Sequence, residues 1–157
     1  MTSVLLVDSD VTAAVASARG LGRAVDVAVC SDFSTARARL YTEPPRLLVT
    51  ALRLREYNGL HLVYFVADAG LPTRTIVHTE TDDFWRASEI QRAGAFYEVR
   101  WRLSVTLPAY VRAVLPPHDR RDITRRDRRR ASRGGRRVTD PVARRARQSA
   151  RRNQRTG

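Results

Sequence analysis

Lysine is absent from this 157-residue sequence, so all 29 of its Lys+Arg residues are arginines. The single cysteine, Cys30, excludes a disulfide framework and a multi-cysteine zinc site. Long apolar runs are also missing: residues 60–71 are interrupted by His61 and Asp68 and are shorter than the roughly 20 residues of a membrane-spanning helix. No basic segment followed by a long apolar stretch marks a signal peptide. We therefore expect a soluble, cytoplasmic protein.

The positive charge is concentrated at one end of the chain. Residues 1–117 hold 13 arginines and 12 acidic residues, whereas residues 118–157 hold 16 arginines and 4 acidic residues, a net charge of +12. This distribution excludes a uniformly basic compact domain. Residues 116–157 have too few large apolar side chains to offset the entropy of ordering them, so we expect a mostly disordered arginine-rich tail. Asp140 and Pro141 form a helix-start signal, and a short helix near residues 141–153 could form against a polyanion.

Residues 1–115 alternate between apolar runs typical of buried strands and segments typical of helices. The predicted strands are 3–7, 25–30, 47–51, 75–79 and 95–99, and the predicted helices are 11–21, from 32 or 34 to 41, 60–69, from 82 or 83 to 93, and 103–115. Asn58 and Gly59 indicate a turn before the third helix. Pro108 is expected to delay the start of the last helix or to kink it.

Five strands separated by helices predict an α/β fold, a doubly wound five-stranded parallel sheet of the flavodoxin-like order 2-1-3-4-5. In such a sheet the functional crevice lies at the carboxyl ends of the strands. Asp8, Ser9, Ala51 and Thr79 fall at predicted strand ends. We expect these four residues to lie near that crevice.

Four sequence segments resemble the receiver domain of bacterial two-component response regulators. They are VLLVDSD from Val4, ALRLREYNGL from Ala51, IVHT from Ile76 and AGA from Ala93, in the order and at the spacing of that family. The resemblance covers residues 3–114 and implies the fold already predicted from the strand pattern. It also implies a role in phosphorelay signal transduction.

The resemblance implies a degenerate phosphorylation pocket. Ala51 occupies the position of the phospho-accepting aspartate, and Ser9 replaces one of the two acidic residues that help hold Mg²⁺, while Asp8 keeps the other. A methyl group cannot attack a phosphoryl donor, and Mg²⁺ requires several oxygen ligands, so we expect weak or absent Mg²⁺ binding and no other cofactor. Arg100 is the nearest counterpart of the family's lysine and could reach the crevice as a fixed cation.

The resemblance also implies how a receiver-like domain that lacks the phospho-accepting aspartate (a pseudo-receiver) would act. Thr79 occupies the position of the family's switch residue, a Ser or Thr at the end of the fourth strand, and Tyr97 would be its aromatic partner. The face formed by the fourth helix, fifth strand and fifth helix commonly binds partners in the family, and here it would include Arg86, Arg92, Tyr97 and Trp101. We predict a signalling module that acts by protein–protein interaction without phosphorylation and is not an enzyme. The partner could also be a second copy of the chain, which would give a homodimer.

The arginine-rich tail supports a second hypothesis, non-specific association with nucleic acid. Arginine runs bind phosphates and release counterions. The predicted polyanion-binding residues are Arg125, Arg126, Arg128, Arg129, Arg130, Arg136, Arg137, Arg144 and Arg145. The tail has no aromatic residue for base stacking, so binding should be largely independent of sequence. An anionic membrane surface, an acidic protein and no specific partner remain alternatives. Cys30, His61 and His78 are interpreted as packing or surface residues, and no metal site is predicted.

Overall fold

The computed structural model of the protein describes residues 3–115. Seven strands and five helices follow one another along these residues: β1 (Val4–Val7), α1 (Val11–Gly20), β2 (Val27–Cys30), α2 (Phe33–Thr42), β3 (Leu47–Ala51), β4 (Arg53–Leu54), β5 (Tyr57–Asn58), α3 (Leu60–Asp68), β6 (Arg74–Thr79), α4 (Phe84–Arg92), β7 (Phe96–Val99) and α5 (Arg100–Val114). The tail, with its predicted helix near 141–153, lies outside the described residues. Within residues 3–115, no helix is long and apolar enough to span a membrane.

Five strands form one parallel sheet in the order β2-β1-β3-β6-β7. The short β4 and β5 pair only with each other, so β6 and β7 are the fourth and fifth strands of this sheet. The predicted order 2-1-3-4-5 is therefore confirmed. Val7 pairs with Cys30 on one side and Thr50 on the other, and Thr79 pairs with Val99. The register therefore brings the carboxyl ends of β1, β3 and β6 to one edge.

The central strands are buried on both faces of the sheet. Leu5 and Val7 pack in a core with side chains of α2 and α3, whereas Val4 and Leu6 pack in another with side chains of α5. Alternate side chains of a strand point to opposite faces, so a strand covered on both sides reads as a continuous apolar run. The run from Val4 to Val7 is therefore explained by the helices on each side.

Aspartates determine where three helices begin. Asp10 accepts a hydrogen bond from the Ala13 N–H, and Asp32 accepts one from Thr35. Asp83, rather than Asp82, is the N-cap of α4. Each carboxylate satisfies an N–H group that has no partner within its helix.

The segment between β3 and α3 differs from the prediction. A two-stranded hairpin, β4–β5, with its turn at Arg55 and Glu56, replaces the expected loop, and the turn predicted before the third helix lies at Gly59. Arg55 has a φ of 54°, the left-handed conformation that closes the turn. The Asn58 side chain accepts from the Leu60 N–H at 2.9 Å, which fixes the turn into α3, and Gly59 is the N-cap of that helix.

The prediction for the last helix was wrong at its start. Helix α5 begins at Arg100, immediately after β7, and continues through Pro108. Pro108 does not delay the helix because Leu103, Leu107 and Val111, spaced four residues apart, are all buried against the sheet. Their burial outweighs the one backbone hydrogen bond that the proline removes.

Candidate functional site

A pocket lies at the carboxyl edge of the sheet. Its volume is about 390 Å³, and it is lined by Asp8, Ser9, Ala51, Leu52, Arg53, His78, Thr79, Glu80, Thr81, Arg86 and Arg100. The five residues predicted for a degenerate phosphorylation pocket are therefore brought together. Arg86, which was predicted for the interaction face, also lines this pocket.

The wall contributed by β3 has no reactive side chain. Ala51 lines the pocket with its methyl group and is only 8% exposed. The neighbouring Thr50 is fully buried, and its hydroxyl donates to the Ala51 carbonyl oxygen at 3.1 Å. Thr50 therefore does not supply a replacement nucleophile at this position.

Arg100 occupies the acidic end of the pocket. Its Nη2 lies 3.1 Å from Asp8 Oδ2 and 3.1 Å from Asp10 Oδ2, and its Nη1 donates to Glu80. Asp8 is 6% exposed, and its Oδ1 also accepts from the Asp10 N–H at 2.9 Å. One guanidinium therefore bridges three carboxylates that come from two separate segments of the chain.

The direct join between β7 and α5 places Arg100 at this edge of the sheet. Val99 is the last residue of β7 and the N-cap of α5, so no loop carries the arginine away. Burial alone would lower the pKa of Arg100, but its hydrogen bond to Glu80 and the charges of Asp8, Glu80 and Asp10 outweigh that cost and raise the pKa. Arg100 is thus a permanent cation in the pocket.

His78 is a second neighbour of Asp8. It is 4% exposed, and its Nε2 lies 3.5 Å from Asp8 Oδ2. Burial lowers the pKa of His78; the negative charge of Asp8 opposes this shift, and the positive charge of Arg100 adds to it. His78 was interpreted as an ordinary packing or surface residue. The structure shows that it is a buried residue of β6 whose side chain lies beside the Asp8 carboxylate.

The buried His78 should make stability depend on pH. Its folded pKa lies below its ordinary value of 6.5, so the unfolded chain binds this proton first as the pH falls. We expect the free energy of unfolding to be highest above pH 6.5 and to decrease progressively below it. Urea unfolding at a series of pH values measures this slope, which His78→Gln should reduce and the exposed-site control His61→Gln should leave unchanged. Equal slopes in both variants would contradict this role.

The Tyr97 hydroxyl is held beside Thr79. It lies 3.1 Å from Thr79 Oγ1 and 3.2 Å from Asp82 Oδ1, and it accepts from the Asp83 N–H at 3.0 Å. Thr79 in turn donates to the Thr81 carbonyl at 2.7 Å. The predicted pairing of Thr79 with Tyr97 is therefore a direct contact, and it ties β7 to the loop that begins α4.

Removing the Tyr97 hydroxyl should weaken this connection. Tyr97→Phe leaves the Asp83 N–H without its acceptor, which should cost about 1–2 kcal/mol of unfolding free energy. Tyr64→Phe is the matched control because Tyr64 is 45% exposed. Urea denaturation of both variants gives the comparison, and an equal loss in each would refute a special role for the Tyr97 hydroxyl.

The other residues predicted for the interaction face lie on the surface. Trp101 is 69% exposed, Arg92 is exposed in the last turn of α4, and Arg86 pairs with Asp83 at 3.3 Å. Sequence reasoning missed Phe84 and Trp85, which are 76% and 80% exposed at the start of α4. Their position directly after Glu80, Asp82 and Asp83 was the available signal.

Residues 3–115 contain no group of three or more His, Cys, Asp or Glu side chains placed to hold a metal ion. Cys30 is buried in β2, and burial raises the pKa of its thiol. A buried thiol with a raised pKa is a poor nucleophile.

Comparison with known proteins gives structural matches only. No family model matches the chain, and no curated protein matches its sequence. A two-component response regulator from Clostridium difficile is 15% identical, with a TM-score of 0.67 over 76% of this chain and 99% of that one. The receiver domain of the Francisella response regulator 1452 is 18% identical, with a TM-score of 0.65 over 73% and 96%.

A third similar structure is a CheY-like response regulator receiver domain protein from Methanospirillum hungatei JF-1. It is 16% identical, with a TM-score of 0.61 over 71% of this chain and 94% of that one. These three structures are response regulators or their receiver domains, and the match spans almost the whole length of each of them. Residues 3–115 therefore have the fold of a response regulator receiver domain.

Proposed function

We propose that this protein is a receiver-like signalling module of the two-component family that acts in the cytoplasm through protein–protein contacts and is not controlled by phosphorylation. The observation that carries the proposal is the composition of the pocket: Ala51 at the acceptor position and Arg100 bound to the remaining acidic residues. A receiver fold that lacks the nucleophile retains only its surfaces for signalling. On this proposal the protein is not an enzyme.

The donor set of the pocket does not fit the Mg²⁺ that a receiver fold implies. Mg²⁺ needs oxygen ligands in octahedral geometry, and it is usually bound by one or two carboxylates. Here Asp8, Asp10 and Glu80 each accept from the Arg100 guanidinium, and Ser9 and Ala51 contribute no carboxylate. An ion at this edge would have to compete with a permanent cation, so we expect weak or absent Mg²⁺ binding.

The interaction surface would then be constant. The Tyr97 hydroxyl is held by Thr79 and by the Asp83 N–H, and no phosphoryl group forms to change these contacts. A partner would therefore meet α4, β7 and α5 in one arrangement, including Trp101, Arg92 and Arg86.

Intact-mass spectrometry tests the absence of phosphorylation. The full-length chain is incubated with phosphoramidate and Mg²⁺ beside an active receiver domain as the positive control. We expect the control to gain an acid-labile phosphate and this chain to gain none, because no carboxylate is present at position 51. An acid-labile adduct on this chain would overturn the proposal.

A second candidate function is association with nucleic acid through the tail. Residues 118–157 have a net charge of +12, and they include the arginine runs 125–130, 136–137 and 144–145, which lie outside the described residues. Such a segment would bind phosphates with a steep dependence on salt. Nucleic-acid binding by the tail is compatible with the signalling role because the two functions would use different parts of the chain.

A gel shift with random duplex DNA and with RNA tests this second candidate. The full-length chain is compared with a variant in which Arg125, Arg126, Arg128, Arg129 and Arg130 are glutamine. A matched variant replaces five exposed arginines of the described part, Arg19, Arg23, Arg46, Arg74 and Arg112. We expect the tail variant to bind far more weakly than the matched one, and equal losses would refute tail-mediated binding.

A further inference from the structure

An acidic and aromatic surface lies around the first turns of α4. We define this acidic–aromatic surface as Glu80, Asp82, Phe84, Trp85 and Glu89, all of which are exposed. Glu89 follows Trp85 by four residues in α4, so the two lie on the same side of the helix. Residues 79–90 contain four acidic residues and one arginine, a net charge of −3, whereas residues 1–117 as a whole have a net charge of +1.

The two aromatic rings are exposed and close together. Phe84 and Trp85 are 76% and 80% exposed, and their ring centroids are 6.1 Å apart in an edge-on arrangement. Two adjacent exposed aromatic side chains of this size are typical of binding surfaces. The Arg102 guanidinium already lies 5.1 Å from the centroid of the exposed Trp101 ring, whereas within residues 3–115 no guanidinium makes such a contact with Trp85.

We propose that the acidic–aromatic surface binds an arginine-containing basic segment of a partner protein. This rests on the proposed function, because it names the chemistry of the partner that the module would recognise. A guanidinium can stack on the Trp85 indole while its N–H groups pair with a carboxylate such as Glu89 or Asp82. The net negative charge of residues 79–90 attracts such a segment and repels nucleic acid.

The contacts of the neighbouring residues leave this surface open to a partner. Asp82 uses one carboxylate oxygen for the Tyr97 hydroxyl, and Arg86 pairs with Asp83. Glu80 binds Arg100, yet its side chain is 68% exposed. The contacts within the domain therefore position the acidic groups without covering the two rings.

NMR of the indole N–H groups tests the proposal. The chain has two tryptophans, so Trp101→Phe assigns the Trp85 resonance. The full-length protein, and a full-length variant in which the 16 arginines of residues 118–157 are glutamine and cannot compete with the peptide, are titrated at physiological salt with octa-arginine, octa-lysine and octa-glutamate peptides. We expect a saturable shift of the Trp85 resonance with octa-arginine, a weaker response with octa-lysine because a lysine does not stack in the same way, and none with octa-glutamate.

Variants separate the aromatic contribution from simple charge attraction. Phe84→Ser combined with Trp85→Ser should weaken octa-arginine binding about tenfold, followed through the backbone amides of α4, whereas Tyr41→Ser, at a 79% exposed tyrosine elsewhere, should not. No Trp85 shift with octa-arginine, an equal shift with octa-glutamate, or shifts that depend only on protein concentration would overturn the proposal. None of these results depends on phosphorylation, so a failure here is distinct from a phosphate adduct in the mass experiment.

Discussion

Arg100→Met should lower the unfolding free energy by about 3 kcal/mol, as expected when one partner of a largely buried ion pair is removed. The reason is Asp8, which is 6% exposed and would keep a negative charge without its guanidinium. Asp10 and Glu80 would lose the same partner, but their greater exposure lets water replace it. Urea denaturation at neutral pH measures the loss.

Three comparisons make this prediction specific to the Arg100 network. Arg112→Met removes an exposed arginine from the same helix and should have little effect. Arg100→Lys keeps the charge but cannot bridge three carboxylates, so it should be intermediate. Asp8→Asn should restore part of the stability of the Arg100→Met variant, because the uncompensated charge is then gone. A loss below about 1 kcal/mol for Arg100→Met would mean that the pair behaves as an ordinary surface salt bridge.

Gly59→Ala should be severely destabilising, by about 3 kcal/mol or more, at the upper end of overpacking effects. A Cβ at this position would lie 2.9 Å from Thr50 Oγ1 and closer still to the Ala51 carbonyl oxygen. The backbone cannot simply move away, because the Gly59 N–H donates to the Leu52 carbonyl at 2.7 Å and the Gly59 carbonyl accepts from Leu62. Gly59 is therefore required for the close approach of α3 to β3.

The matched control is Gly20→Ala, at the end of α1. A Cβ on Gly20 would meet no atom within 4 Å, so the alanine should be neutral or stabilising by up to about 1 kcal/mol. Thermal unfolding followed by circular dichroism compares the two variants. Similar melting temperatures for both would contradict the close approach at Gly59.

The sheet order could be predicted because short-range patterns determine it. Apolar runs such as Val4–Val7 need cover on both faces, and a helix between successive strands forces parallel pairing. Helix starts at Asp10 and Asp83 were predictable for a similar reason, since capping depends on a few adjacent residues. Four of the pocket residues, Asp8, Ser9, Ala51 and Thr79, followed from the predicted strand ends.

Features that depend on contacts distant in sequence were harder to predict. Arg100 and Asp8 are separated by 92 positions, and the sequence alone could suggest their meeting only through family resemblance. The exposure of Phe84 and Trp85 was missed because it depends on which face of α4 packs on the sheet, and in this helix the buried residue is Ile90. The start of α5 was wrong because the burial of Leu107 and Val111 outweighs the local effect of Pro108.

Intact-mass spectrometry after incubation with phosphoramidate and Mg²⁺ tests the central claim, that the pocket lacks its nucleophile and holds Arg100 in place of a metal ion. It compares the full-length wild-type chain, Ala51→Asp alone, and Ala51→Asp combined with Ser9→Asp and Arg100→Lys. We expect no acid-labile phosphate on the wild type, little or none on Ala51→Asp, and a clear adduct on the triple variant. An adduct on the wild type, or equally fast labelling of Ala51→Asp and the triple variant, would contradict the account.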